Sequence, residues 1–122
     1  PSSGVTANRV AGNAARDFIA EREAPALIEQ NLRTTGGLRR LDVLKVGEQI
    51  VGIESKIGRT YLTQQVRQEL ARDIKLIRSG QLDKVRWEFW RSARTGKGGP
   101  SAPLRQKLEK LGVEIVENER SF

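Results

Sequence analysis

The chain has 122 residues, 37% of them hydrophobic and 30% charged, enough for one core and too apolar for global disorder. Lys and Arg (22) exceed Asp and Glu (15), and the resulting net charge of +7 and pI near 10.4 point to a polyanionic partner, either nucleic acid or an acidic protein. There is no Cys, His or Met; this excludes disulfide frameworks, thiol nucleophiles, Cys or His metal sites and His-based triads, and leaves chemistry to carboxylates, Lys, Arg, Tyr, hydroxyls and a borrowed metal ion.

Residues 1–9 are small and polar and read as a leader or linker, with residues 10–122 forming a single domain. The Pro-Ser-Ser-Gly start without Met is that expected of a fragment or processed segment, and no run has the apolar length of a signal peptide or membrane span. Val10, Ala14 and Phe18, four apart, predict a first helix continuing towards Glu23. Pro25 interrupts it, and Ala26, Leu27, Ile28 and Leu32 read as a second short helical stripe, ended by a turn at Thr34, Thr35, Gly36 and Gly37. Residues 38–44 and 49–57 are rich in branched side chains and predict a β-hairpin around Val46, Gly47 and Glu48. Leu62, Val66, Leu70, Ile74 and Ile77 predict an amphipathic helix opened by Thr60 or Thr63 and closed near Gly80. Residues 84–91 read as an aromatic strand and residues 94–103 as a basic, Gly-rich loop; a helix follows from Pro103 to Gly112, and residues 113–117 form a last strand. The order implies an α/β sandwich on a small mixed sheet. Positive charge gathers in its middle, with 11 basic against 6 acidic residues in 31–85 and 7 against 2 in 86–110.

The hairpin carries the candidate chemistry. Glu54 and Lys56 lie two apart on one strand and so share a face. Asp42 on the preceding strand joins them if the connection has an odd number of residues; a three-residue loop at Val46, Gly47 and Glu48 would set Asp42 opposite Gly52, whose missing side chain leaves room for an ion. Two carboxylates on neighbouring strands suit Mg²⁺ or Mn²⁺, with waters and substrate phosphate completing the shell. A lysine beside them can orient the attacking water, which makes a phosphodiester-hydrolysing set that needs neither His nor Cys. The bland alternative is a surface ion pair with Asp42 near Arg40 or Arg59.

The segment Arg40-Leu41-Asp42, followed by Gly52-Ile53-Glu54-Ser55-Lys56-Ile57-Gly58, resembles the PD-(D/E)xK (restriction-endonuclease-like) nucleases. It is most similar in style to the subset found as C-terminal toxin domains of bacterial polymorphic and contact-dependent growth inhibition systems. Gln64-Gln65, Trp87-Glu88-Phe89-Trp90 and the loop from Thr95 to Ser101 fit that subset, while Leu41 replaces the family's Pro. The resemblance implies an αβββαβ core and metal ligation by Asp42, Glu54 and the Ser55 carbonyl. It also implies a water-positioning or activating Lys56 and a first-helix carboxylate, for which Asp17, Glu21 and Glu23 are candidates and Asp17 stands at a plausible distance. Gln64 or Gln65 would contact substrate or steady the site, and Arg59, Arg67, Arg94 and Lys97 would follow the nucleic-acid backbone. Trp87, Phe89 and Trp90 are expected in the core. The implied protein is secreted as part of a larger chain, acts in the cytoplasm of a target bacterium, cuts tRNA in slight preference to DNA, and is held by an immunity protein matched to its basic face. The rival readings are a junction-resolving or repair DNA endonuclease of the same fold, and a non-catalytic nucleic-acid-binding module.

Overall fold

A computed structural model describes residues 3–122. The elements run α1 (Ser3–Arg22), β1 (Ala26–Thr34), β2 (Gly37–Lys45), β3 (Val51–Ile57), α2 (Gln64–Arg78), β4 (Lys84–Arg91), α3 (Ala102–Leu111) and β5 (Glu114–Ser121). The strands form one five-stranded mixed sheet in the order β1-β2-β3-β4-β5, antiparallel from β1 to β3 and parallel from β3 to β5. This is the α/β arrangement expected, with an αβββαβ run followed by α3 and β5. Among the described residues no helix is long and apolar enough to cross a membrane.

Each face of the sheet has its own core. Ala15 and Ile19 of α1 pack with Val43, Val51, Ile53 and Trp90. On the other face Val66, Leu70 and Leu76 of α2 and Leu104 and Leu108 of α3 pack with Leu41, Val85, Trp87 and Phe89. β4 is buried on both faces, as a central parallel strand must be, so its aromatic residues are core residues as expected. α2 begins where Thr63 accepts the Val66 N–H at 3.2 Å. α3 begins at the Ser101 cap and ends at Gly112, whose left-handed φ of 74° favours glycine.

Three expectations need correction. Residues 26–32 form the edge strand β1 and not a helix: Thr34 Oγ1 donates to the Gly37 carbonyl at 2.6 Å and accepts the Gly36 N–H, and the resulting tight turn pairs the segment with β2 from Ala26–Lys45 to Thr34–Gly37. The first helix starts at Ser3, seven residues before Val10, so most of the expected leader is helical; Pro1 and Ser2 lie outside the described residues. The last strand extends to Ser121, with Arg91 paired to Ser121 past an irregularity in the ladder.

The Gly-rich loop lies against the end of β4. A Cβ on Gly98 would stand 2.8 Å from the Trp90 carbonyl oxygen and 3.0 Å from the Arg91 Cα, both backbone atoms unable to swing aside. Gly98→Ala is expected to cost about 1–3 kcal/mol, read as a lower urea midpoint at unchanged slope.

Candidate active site

The β2–β3 ladder pairs Lys45 with Val51, Leu44 with Gly52 and Val43 with Ile53. Continued by one position, this register puts Asp42 level with Glu54. The connection is residues 46–50, two longer than the loop read from the sequence, so Gly52 faces Leu44 and not Asp42. The space above Gly52 is filled by side chains and leaves no room for an ion: a Cβ there would lie 2.8 Å from Leu82 Cδ1 and 3.2 Å from Leu41 Cδ1. The longer connection is still odd in number, and this keeps Asp42 and Glu54 in step.

The pleat of β2 breaks at Asp42. Residues two apart on a regular strand share a face, yet Leu41 belongs to the α2–α3 core and Val43 to the α1 core. Across from Asp42 on β1, Glu29 has φ 52°, a left-handed conformation rare outside glycine. Beyond the Val43–Ile53 pair, Asp42 Oδ2 accepts the Ser55 N–H at 2.8 Å. A side chain thus takes the place of the ladder where the two strands part.

Glu54 is buried. Its Oε1 accepts from Arg39 Nη2 at 3.1 Å, and its Oε2 lies 3.1 Å from Lys56 Nζ. Lys56 also donates to Glu69 Oε1 at 2.9 Å and stands 5.2 Å from the Trp87 ring centroid. Arg39 is itself buried; its Nε donates to Asp73 Oδ1 at 2.7 Å, and Trp87 Nε1 donates to Asp73 Oδ2 at 3.0 Å. Among the described residues the ion pairs of Glu54, Glu69 and Asp73 run to Arg39 and Lys56, and Arg40 and Arg72 also line the cleft that Asp42, Glu54 and Glu69 enter. Burial, with the nearby Asp42 charge, pushes the Glu54 carboxyl up to about 7 despite Arg39 and Lys56. Burial alone would lower Lys56, but Glu54 and Glu69 outweigh it and raise the ammonium above its ordinary value, so the amine stays charged.

Of the expected site residues, Asp42, Glu54 and Gln65 line a cleft of about 380 Å³ with Gln68, Glu69 and Arg72; the Ser55 N–H bonds to Asp42 and Lys56 Nζ lies beside Glu54, while both residues also line the neighbouring groove. Gln64 and Arg67 are exposed and do not line the cleft. Asp17 does not join: it lies on the exposed side of α1, 61% accessible, paired with Arg16 at 2.9 Å. Glu21 is exposed too, and Glu23 is engaged by Lys45 and Arg22, whose pull outweighs partial burial and lowers its carboxyl to about 2. Arg59, Arg94 and Lys97 line the neighbouring groove of about 720 Å³ with Ser55, Ile57 and α1. The sequence reading missed Arg39, Glu69 and Asp73. A signal existed: Gln65, Glu69 and Asp73 recur every four residues along one face of α2.

The donor set suits a hard divalent cation. Mg²⁺ is commonly held by one or two carboxylates with waters and phosphate oxygens; Asp42 and Glu54 are two carboxylates on neighbouring strands, and no group of three or more acidic side chains among the described residues gathers to hold a metal ion.

No family model matches the chain, and no curated protein matches it. Its fold is similar to that in a crystal structure of a protein of unknown function, AF1548, with a TM-score of 0.58 at 10% identity over 87% of this chain. The chain spans 55% of that protein. The likeness concerns fold alone.

The raised Glu54 carboxyl makes a stability prediction. Its folded pKa, near 7, lies above the unfolded value of 4.5, so its contribution is fully present below the unfolded value and is lost as pH rises through the folded one. In a chelator, Glu54→Gln is expected to raise Tm relative to the wild type by more at about pH 8 than at about pH 5. An equal difference at both would contradict the shift.

Proposed function

We propose that the protein is a metal-dependent nuclease that hydrolyses phosphodiester bonds of nucleic acid. The observation that carries this reading is the meeting of Asp42, Glu54 and Lys56: Asp42 and Glu54 line one cleft, and Lys56 Nζ lies 3.1 Å from Glu54 Oε2, on a molecule of net charge +7. Carboxylates repel a phosphate ligand unless a cation lies between them. A cleft of this composition beside cationic surface makes sense for a polyanion once a divalent ion is present.

Asp42, Glu54 and the Ser55 carbonyl would hold Mg²⁺ or Mn²⁺, which supplies polarisation of the phosphoryl oxygen and a more acidic water. Lys56, kept charged by Glu54 and Glu69, acts as a donor: it orients the attacking water and offsets negative charge growing on the phosphorus oxygens. Arg39 and Asp73 fix the Glu54 carboxylate without touching substrate. Gln65 stands where it can steady a phosphate at the cleft wall. The resemblance to PD-(D/E)xK toxin domains extends the proposal to a domain delivered into a target bacterium and held by an immunity protein. It favours tRNA slightly over DNA.

One feature favours the second reading, a non-catalytic nucleic-acid-binding module: both Glu54 oxygens are already engaged, by Arg39 and Lys56. Incubation of the purified protein with total tRNA, rRNA and plasmid DNA, with Mg²⁺, Mn²⁺ or a chelator, separates the two. Metal-dependent cleavage is expected, falling at least ~100-fold in Glu54→Ala and Lys56→Ala variants that keep the native circular dichroism spectrum. Cleavage that survives chelation overturns the metal mechanism, and binding without cleavage of any substrate establishes the module.

A further inference from the structure

We infer that the groove on the α1 side of β3 is a binding track for unpaired nucleotides, with the backbone on Arg59, Arg94 and Lys97 and a base stacked on Tyr61. The inference deepens the proposed function and rests on its reading of the substrate as nucleic acid. It does not depend on hydrolysis.

Alternation along β3 sends Glu54 and Lys56 to the α2 face and Ser55 to the α1 face. The groove there is walled by α1 at Asn8 and Gly12 and by the Gly-rich loop at Arg94 and Lys97, and no Asp or Glu side chain lines it. It continues onto a shallower depression formed by Arg59, Tyr61, Arg91 and Lys97, again without an acid. The pairing pattern is telling. Among the described residues nine of the 22 basic side chains have carboxylate partners, and of the thirteen that have none, Arg59, Arg91, Arg94 and Lys97 gather around these two adjoining depressions. Arg94 reaches only Asn8 Oδ1, at 3.5 Å. Ser55 Oγ, which lines the groove, is buried with no hydrogen-bond partner, and a turn about χ1 would offer it to a phosphate.

The track is also built rigidly. Gly58 N–H donates to the Trp90 carbonyl, Thr60 N–H to Gly99 and Ser92 N–H to Lys97, so backbone bonds tie the loop to the end of β3. Of the chain's six aromatic residues Tyr61 alone is exposed, at 60%, and it stands among the unpaired cations. Cations following a backbone beside an exposed aromatic face is the chemistry of single-strand recognition, because a base can stack only when it is free of a duplex.

The test is fluorescence anisotropy in a chelator with a labelled single strand of about 16 nucleotides, as RNA and as DNA, and with the duplex of the same sequence. The single strand is expected to bind more tightly than the duplex. Tyr61→Leu is expected to weaken it about tenfold while Tyr61→Phe does not. The double substitution Arg94→Gln and Lys97→Gln is expected to lower the slope of log affinity against log salt by about 1.4. Gly12→Phe supplies the steric arm. A Cβ at Gly12 meets nothing within 4 Å, and replacing a helical glycine supports the helix, so the variant is expected to melt no lower than the wild type yet fail to bind. Equal or tighter binding of the duplex, unchanged affinity in Tyr61→Leu, or wild-type affinity in Gly12→Phe would overturn the inference. Because no divalent ion is present, its failure is distinct from failure to cleave.

Discussion

The site depends on one buried guanidinium. Arg39 projects from β2 between β3 and α2, and its fork takes Glu54 on one side and Asp73 on the other. Burying an ion costs several kcal/mol unless partners replace the lost water, and a planar donor set of fixed geometry can satisfy two carboxylates at once. Trp87 closes the arrangement by donating to Asp73, so β2, β3, β4 and α2 are joined through polar contacts within an otherwise apolar layer. Without Arg39, Glu54 and Asp73 would be buried acids close to Asp42. Its guanidinium is what lets an acid-rich cluster exist inside the fold, and it leaves Asp42 and the outer edge of Glu54 at the cleft.

The second constraint is the broken pleat at Asp42. In a regular sheet the Ser55 N–H would be held by backbone from β2, and no side chain would enter between the strands. The parting of β2 and β3 after the Val43–Ile53 pair lets the Asp42 carboxylate take that N–H, which fixes one of its oxygens and leaves the other unengaged by it. β3 then serves two surfaces: Glu54 lines the cleft that holds the carboxylates, and Ser55, Lys56 and Ile57 line the cationic groove, with Lys56 Nζ reaching back to Glu54 and Glu69.

How much of this could be read in the sequence differs by element. α2, β4 and α3 were legible because each carries an unambiguous period, cap or aromatic run. The level placement of Asp42 and Glu54 was legible as well, since any odd connection yields it, but the length of that connection was not, and the ion space over Gly52 proved to be filled by Leu41 and Leu82. β1 was misread because Leu27 and Ile28 are apolar neighbours and Ile28 and Leu32 stand four apart, a step that fits a helix as well as a strand; burial alternates only from Gln30 to Thr34. The first turns of α1 were missed because residues 3–9 carry no apolar stripe. Arg39 and Asp73 were illegible for a different reason. Charged residues are almost never fully buried unless paired, and nothing in the order of residues says that an arginine on one strand will meet an aspartate 34 positions later.

A chain without His or Cys has few ways to manage a proton near neutral pH. Arg39 is a permanent cation, and Lys56 is held charged by Glu54 and Glu69, so neither can accept a proton from water. That leaves the carboxylates, and among them burial and Asp42 bring Glu54 to the edge of neutrality. The neighbouring negative charge of Asp42, which helps raise its proton affinity, also favours a small cation. Proton and divalent ion are thus rivals for the same oxygens. The proposed chemistry requires the ion to win.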